Sequence, residues 1–319
     1  MLTHDSKIYI AGHQGLVGSA LMRLLRARGY RNIVGRTHAE VDLKNQRSVQ
    51  DLFAAERPHV VLLAAAKVGG ILANNTFPAE FIQDNLAIQT NVIHEAWRAG
   101  VRRLLFLGSS CIYPRDCPQP IREEYVMTGP LEPTNRPYAM AKLAGLEMCW
   151  SYNRQYGTQY LCVMPTNLYG PGDNYDPQTS HVLPALIRKF HEAKARGDKT
   201  VMLWGTGTPR REFLYSDDMA DASVMLMECE PGRLAAILPG EEAPLVNIGC
   251  GEDQTIRELA ERVRDVVGCS AGIAWDSSKP DGTPRKLLDI SRLKKLGWKQ
   301  QVGLREGIER AYADFLEQV

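Results

Sequence analysis

The chain has no apolar run longer than seven residues, the stretch Val60-Val61-Leu62-Leu63-Ala64-Ala65-Ala66. A membrane-spanning helix needs roughly 18–20, so this run reads as a strand buried on both sides. A surplus of one charge is missing too. Across 319 residues, 38 Lys and Arg face 37 Asp and Glu, a formal net charge of +1. That balance argues against a nucleic-acid or anionic-membrane binder, which relies on a broad basic field. Any anion bound here is held by local charges. Cysteine is sparse and unpatterned: Cys111, Cys117, Cys149, Cys162, Cys229, Cys250 and Cys269 make an odd count with no C-x-x-C pair. Neither a disulfide framework nor a metal site is expected. The opening residues MLTHDSKIYIAG lack a basic segment followed by an apolar one and a small-residue cleavage site. No signal peptide is therefore expected, and the expected location is cytoplasmic, with reduced thiols. The 44% hydrophobic and 24% charged residues exclude disorder and collagen-like repeats. The length suggests about two domains.

Short apolar runs alternate with helix-period segments in the first half, the pattern of a parallel sheet covered on both faces. Strands are expected over Lys7–Ala11, Asn32–Gly35, His59–Ala66, Arg103–Gly108 and Tyr160–Pro165. Helices are expected over Gly15–Arg28, with Leu16, Ala20, Leu24 and Ala27 on one face, and over Ser48–Glu56, Phe77–Ala99 and Tyr138–Tyr156. Beyond about residue 166, Gly and Pro become frequent (YGPGDNYDP, WGTGTPR, PDGTPRK), and helices at Val182–Ala195, Asp218–Cys229 and Thr255–Val267 are separated by long loops. The expected fold is α/β: a Rossmann-type, doubly wound parallel sheet in residues 1–170, joined by returning segments from about 210–250, with a smaller α/β substrate lobe in residues 171–319.

Gly12, Gly15 and Gly18 stand in a G-x-x-G-x-x-G array between the first strand and the first helix. The first allows a tight turn, the second lets backbone N–H groups approach a pyrophosphate, and the third permits close helix–strand packing. Glycine triplets are common in turns, and the strand–helix context is what makes this one a dinucleotide site. Past the second strand an NAD site places a carboxylate on the ribose 2′-hydroxyl, whereas this chain has Gly35-Arg36-Thr37-His38. A cation there favours NADP(H); the alternative, a solvated surface arginine, stays open. The fourth strand ends in Ser109, and Tyr138 and Lys142, four residues apart, share a helix face. Such a pair is often only a surface contact. In this order after a glycine turn it makes an acid and a clamp for a carbonyl, with the ammonium expected to lower the tyrosine pKa.

The order of glycine array, Ser-Ser and Y-x-x-x-K resembles the extended short-chain dehydrogenase/reductase family. Longer stretches are similar, over essentially the whole chain, to its NADPH-dependent 3,5-epimerase/4-reductases of GDP-4-keto-6-deoxy-D-mannose: AAAKVGGILANNTFPAEFI, FLGSSCIYP, LEPTNRPYAMAK, MPTNLYGPGDNYDPQTSHVLPALIRKFHEA, WGTGTPRREFLYSDDMA and SKPDGTPRKLLD. The resemblance implies a catalytic set of Ser109, Cys111, Tyr138, Lys142 and His181, with Cys111 and His181 exchanging protons at the sugar ring. It implies NADP(H) contacts at Gly12, His13, Gln14, Gly15, Leu16, Val17 and Gly18; at Arg36, His38 and Asp42; at Leu107, Gly108 and Ser109; and at Tyr138, Lys142, Pro165, Thr166, Asn167, Leu168 and His181. It implies a GDP-sugar held by Asn167, Lys189, Trp204, Arg211, Lys279 and Asp281, with Arg285 a further cation, and a homodimer. Members of this kind often carry arginines at the positions of Gln14 and His38, so a weaker NADPH preference is expected here. Competing readings are a nucleotide-sugar 4-epimerase or dehydratase that retains its cofactor, or a non-catalytic NADP-binding sensor.

Overall fold

The computed structural model describes residues 2–238, 240, 243–279 and 281–319. Pro280 of the SKPDGTPRKLLD stretch, and 239, 241 and 242 of the 210–250 segment, lie outside the described residues. Six strands with near-continuous burial form one parallel sheet: β1 (Ile8–Ala11), β2 (Ile33–Val34), β3 (Val60–Leu63), β4 (Arg103–Leu107), β5 (Gln159–Pro165) and β10 (Leu245–Ile248), in the order β10-β5-β4-β3-β1-β2. Strands such as IYIA, VVLL and RLLFL lack polar alternation because helices cover both faces. On one face pack α2 (Gln46–Glu56), α4 (Pro78–Arg98) and α5 (Arg136–Tyr156), through Phe53, Ile93 and Leu146. On the other pack α1 (Leu16–Ala27) and α7 (Ser216–Glu228), through Leu21, Leu25 and Met219. Arg103 is buried within β4 because its guanidinium donates to the carbonyls of Met227 at 2.7 Å and Cys229 at 3.1 Å, satisfying the end of α7.

The chain runs outward from β1 to β2 and returns to β3 on the other side of β1. The order therefore reverses between β1 and β3, where a doubly wound sheet opens its ligand crevice. A short helix, α3 (Ile71–Thr76), follows β3. A second core is built from α6 (Val182–Arg196), α9 (Ile256–Val267) and α11 (Leu304–Leu316), with Leu186, Phe190, Leu259, Val263, Ile308 and Phe315 buried together. Small sheets join it: β6 (Asn167–Tyr169) with β9 (Phe213–Tyr215); β7 (Thr200–Trp204) with β12 (Gly272–Asp276); and β8 (Arg210–Arg211) between β11 (Gln254–Thr255) and β13 (Arg285–Lys286). The remaining helices, α8 (Pro231–Ala235) and α10 (Ser291–Lys295), are one-turn connectors. Among the described residues no helix is long and apolar enough to cross a membrane.

Three details differ from the sequence reading. The β3 ladder ends at Leu63, and the backbone of Ala64 and Ala65 instead closes against the Gly12 turn. Helix α1 buries Gly18, Ala20, Leu21 and Leu25, leaving Ala27 exposed; close contact between Gly18 and the Gly12 turn sets the helix's rotation. Helix α2 starts at Gln46 because the Asn45 side chain accepts from the Ser48 amide at 3.1 Å.

Candidate active site

The crevice begins at Gly12, whose φ of +82° suits glycine. A Cβ there would lie 2.7 Å from the Ala65 nitrogen, and one on Gly18 would lie 2.0 Å from the Gly12 carbonyl oxygen. Gly15, the N-cap of α1, has no side chain over the helix end. The amides at that end are therefore open to an anion, and the helix dipole favours one. These features fit a dinucleotide pyrophosphate.

At the ribose end Arg36 is not a free cation. Its guanidinium donates to the Gly35 carbonyl at 2.8 Å and pairs with Glu56, which also binds Lys7 at 2.8 Å. His38 is exposed and lies 3.8 Å from Asp42. Glu40 accepts from the Thr37 amide and hydroxyl at 2.7 and 2.8 Å, which, with Arg36 and His13 nearby, holds its carboxyl below the usual range. Two carboxylates, Glu56 and Glu40, therefore offset the positive charge expected from Arg36.

Beyond β4, Ser109 caps the turn Ser110–Ile112, its hydroxyl accepting from the Cys111 amide at 3.4 Å. The same hydroxyl lies near Tyr138, which stands in the first turn of α5 edge-on to Phe81, ring centroids 6.3 Å apart, with the Lys142 ammonium 5.9 Å from its ring centre. Cys111, 5% exposed, lies within electrostatic range of Tyr138, Lys142 and Lys286. Burial pushes its thiol pKa up, while Lys286, the Ser109 hydroxyl and Lys142 pull it down. Lys142 is 3% exposed; its ammonium donates to the Leu107 carbonyl at 2.7 Å and sits 4.8 Å from the Phe106 ring centre. Burial lowers its pKa to about 8. The expected depression of Tyr138 does not occur. Burial and nearby Cys111 outweigh the Ser109 hydroxyl and raise the phenol above its usual value, so Tyr138 is poised as a proton donor.

His181 is the N-cap of α6. Its approach is tied down by the Asp176 carboxylate, which accepts from the Gln178 and Thr179 amides at 3.0 Å each, and by the Gly70 amide, which donates to the Thr179 carbonyl at 3.1 Å. His181 is exposed to solvent, and the desolvation it does undergo lowers its pKa.

In the second lobe Trp204 is 56% exposed, with the Lys189 and Lys279 ammonium groups 5.8 and 5.6 Å from its ring centre. Arg211 donates to the Arg210 carbonyl at 2.8 Å. Asp281 spends both oxygens on Thr206, at 2.8 Å to its amide and 2.8 Å to its hydroxyl, so it braces the turn beside Trp204. Asn167 donates to the Glu212 carbonyl at 2.8 Å. Arg285 faces away from these residues and pairs with Asp253 at 2.5 Å.

Two residues escaped the sequence reading. Glu212, fully buried, accepts from the Gly251 amide at 2.6 Å and the Leu288 amide at 3.0 Å, pinning three segments behind Asn167. A carboxylate beside the apolar Phe-Leu-Tyr run was its only signal. Lys286 lies among Cys111, Arg211, Glu132 and Cys117; strand alternation at Arg285–Lys286 would have pointed to it.

A glycine-turned dinucleotide crevice with a Ser-Tyr-Lys set at its mouth defines a class, and the chain belongs to the NAD dependent epimerase/dehydratase family, whose model matches residues 8–237. Within that class it is similar along its whole length to GDP-L-fucose synthases. It is 54% identical to GDP-L-fucose synthase 1 of Arabidopsis thaliana, covering 100% of this chain and 96% of that protein. It is 53% identical to GDP-L-fucose synthase of Escherichia coli (strain K12), covering 98% and 97%. Among solved structures, a GDP-6-OMe-4-keto-L-xylo-heptose reductase from C. jejuni matches with a TM-score of 0.95 at 38% identity, covering 100% and 99%. A GDP-L-fucose synthetase from Naegleria fowleri bound to NADP matches with a TM-score of 0.87 at 27% identity, covering 100% and 96%.

Proposed function

We propose that this chain converts GDP-4-keto-6-deoxy-D-mannose to GDP-L-fucose by 3,5-epimerisation followed by NADPH-dependent reduction at C4. The observation that carries the reading is the gathering of Ser109, Cys111, Tyr138 and Lys142 at the end of β4, with the Ser109 hydroxyl on the Cys111 amide and the Lys142 ammonium 5.9 Å from the Tyr138 ring centre. The 4-keto group acidifies the protons on C3 and C5. Cys111 and His181, as base and acid on opposite faces of the ring, exchange those protons, and inversion follows from return on the face opposite removal. Ser109 and Tyr138 hold the enolate oxygen. Reduced nicotinamide, when bound, supplies a hydride to C4; Tyr138 gives its phenolic proton to the C4 oxygen, and Lys142 carries the compensating positive charge. The Gly12–Gly18 turn holds the cofactor pyrophosphate. Trp204, flanked by Lys189 and Lys279, offers a stacking face for guanine, and Arg211 a cation for the substrate diphosphate.

A simple 4-epimerase needs no proton exchange at C3 or C5 and has no use for the Cys111 and His181 pair. Incubation with the keto sugar and NADPH in deuterated water tests the proposal. Deuterium at both C3 and C5 with one NADPH oxidised per product is expected; product without deuterium refutes the epimerase half. The enzyme works as a cytoplasmic homodimer: all seven cysteines are free thiols, and α5 exposes Met140 and Tyr156, the latter stacked on Trp97 of α4. Light scattering that finds a monomer would refute the dimer.

A further inference from the structure

Strand β4 leaves the sheet between Leu107 and Ser109, and each residue of the exit is held differently. Its pairing with β5 ends at Leu107 opposite Val163, followed by a last bond from the Gly108 amide to the Val163 carbonyl at 2.9 Å. Pro165 has no amide hydrogen to donate back to β4, so the ladder stops there. The Leu107 carbonyl is taken by the Lys142 ammonium. The Ser109 amide turns out of the sheet and donates to the sulfur of Met164 at 3.2 Å. Among the described residues that amide has no other acceptor. Met164 is fully buried in the core beneath α5. Its sulfur and terminal methyl also fill the space beside Gly108, where a Cβ would lie 2.2 Å from either atom. A thioether is a weak acceptor, yet a buried amide is costly to leave unpaired. One side chain therefore packs against Gly108 and satisfies the residue after it. Ser109 is in turn fixed from its other end, because its hydroxyl accepts from the Cys111 amide at 3.4 Å and caps the Ser110–Ile112 turn. Rotation of the peptide between Gly108 and Ser109 would displace that hydroxyl and the turn together.

We propose that Met164 is a positioning residue: its sulfur, by holding the Ser109 amide, sets where the Ser109 hydroxyl and the Cys111 turn stand against the substrate. This rests on the reading of Ser109 and Cys111 as groups that face the sugar. Met164 makes and breaks no bond in the reaction and acts only through Ser109. A misplacement of about 1 Å at a reacting centre can cost about 10²-fold in rate. Loss of the acceptor should therefore appear in kcat, while the dinucleotide turn at Gly12–Gly18 and the second-lobe contacts to the nucleotide stay as they are. Leucine replaces methionine in cores at little cost in packing and removes the acceptor. Glutamine matches methionine in length and returns an acceptor, as an amide oxygen.

The test compares full-length wild type with Met164→Leu and Met164→Gln. It reads kcat and KM for NADPH oxidation with the keto sugar, deuterium entry at C3 and C5, and NADPH binding. Met164→Leu is expected to lower kcat and deuterium entry together by at least about tenfold, with both KM values and NADPH binding within about twofold. Met164→Gln should return kcat and deuterium entry to within about threefold of wild type. A leucine variant with kcat within about twofold of wild type overturns the assignment. So does one whose loss of kcat is matched by an equal loss of NADPH binding, which makes Met164 a packing residue only. A glutamine variant that binds NADPH yet is no faster than the leucine variant overturns the need for an acceptor. If neither variant binds NADPH, wild type labelled with 15N-serine decides. Its Ser109 amide should exchange with solvent at least about 10²-fold more slowly than an unstructured amide, as a closed hydrogen bond requires; exchange at the unstructured rate overturns the proposal. Ser109→Ala with wild-type turnover and deuterium entry would instead sink the underlying role of Ser109, a result independent of the Met164 variants.

Discussion

Replacing Lys142 with methionine should make the protein more stable and nearly inactive. The ammonium is 3% exposed and burial lowers its pKa from 10.5 to about 8. A folded-state value below the unfolded one means that the charged form is penalised by folding. Below pH 8 the lysine is charged in both states and the penalty is fully present; it is lost as pH rises from 8 toward 10.5, because the folded state releases its proton first. The drop in pKa corresponds to about 3 kcal/mol. Methionine has similar length and no charge, and removes that penalty, but it leaves the Leu107 carbonyl without the 2.7 Å bond from Lys142, a loss of roughly 1–3 kcal/mol. The net expectation at pH 7 is a gain of about 0–2 kcal/mol, shrinking between pH 8 and 10.5 as the wild type sheds its own penalty. Chemical denaturation at several pH values, without cofactor, measures both. A variant less stable than wild type by more than about 1 kcal/mol at pH 7, or a difference independent of pH, would refute the reasoning. Activity should fall by at least about 10²-fold, the scale of a lost acid–base contribution, so stability and catalysis pull in opposite directions here.

Tyr138→Phe should abolish reduction at C4 while NADPH binding, followed by fluorescence quenching, stays within about twofold; residual turnover near wild type would remove Tyr138 as donor. Cys111→Ser should slow deuterium entry at C3 and C5 by about 10²-fold or more, with release of a 4-reduced, unepimerised sugar detectable by NMR. Glu40→Gln removes a carboxylate beside Arg36 and His13 yet keeps an acceptor for Thr37, and should lower KM for NADPH several-fold with KM for NADH unchanged. Equal change for both cofactors would mean Glu40 does not sense the 2′-phosphate.

Much of this arrangement was legible along the chain. IYIA, VVLL and RLLFL announce strands buried on both sides, and the Gly12, Gly15, Gly18 spacing shows its turn because Gly18 avoids the nearby Gly12 and His13 backbone, although the Ala65 backbone that Gly12 avoids is distant in sequence. The six-residue helix Ile71–Thr76 was not, since fewer than two turns show no periodicity. Arg36 looked like a free cation because Glu56, twenty residues on, comes beside it only when α2 packs on the sheet. The bond of Asp281 to the Thr206 amide and hydroxyl was hidden because the two residues lie 75 positions apart in the chain.

Local pattern by itself determined the first five strands of the parallel sheet, the glycine turn and the Tyr138–Lys142 pair, because hydrophobic period, backbone sterics and helical spacing act over a few residues; the short strands β6–β9 and β11–β13 pair only across the second lobe. Tertiary structure alone decided protonation and pairing. Whether Tyr138 is a donor, whether Lys142 sheds its proton near pH 8, and which carboxylates hold Arg36 and Arg285 depend on burial and on charges from distant segments. Those quantities exist only once the chain has closed around them.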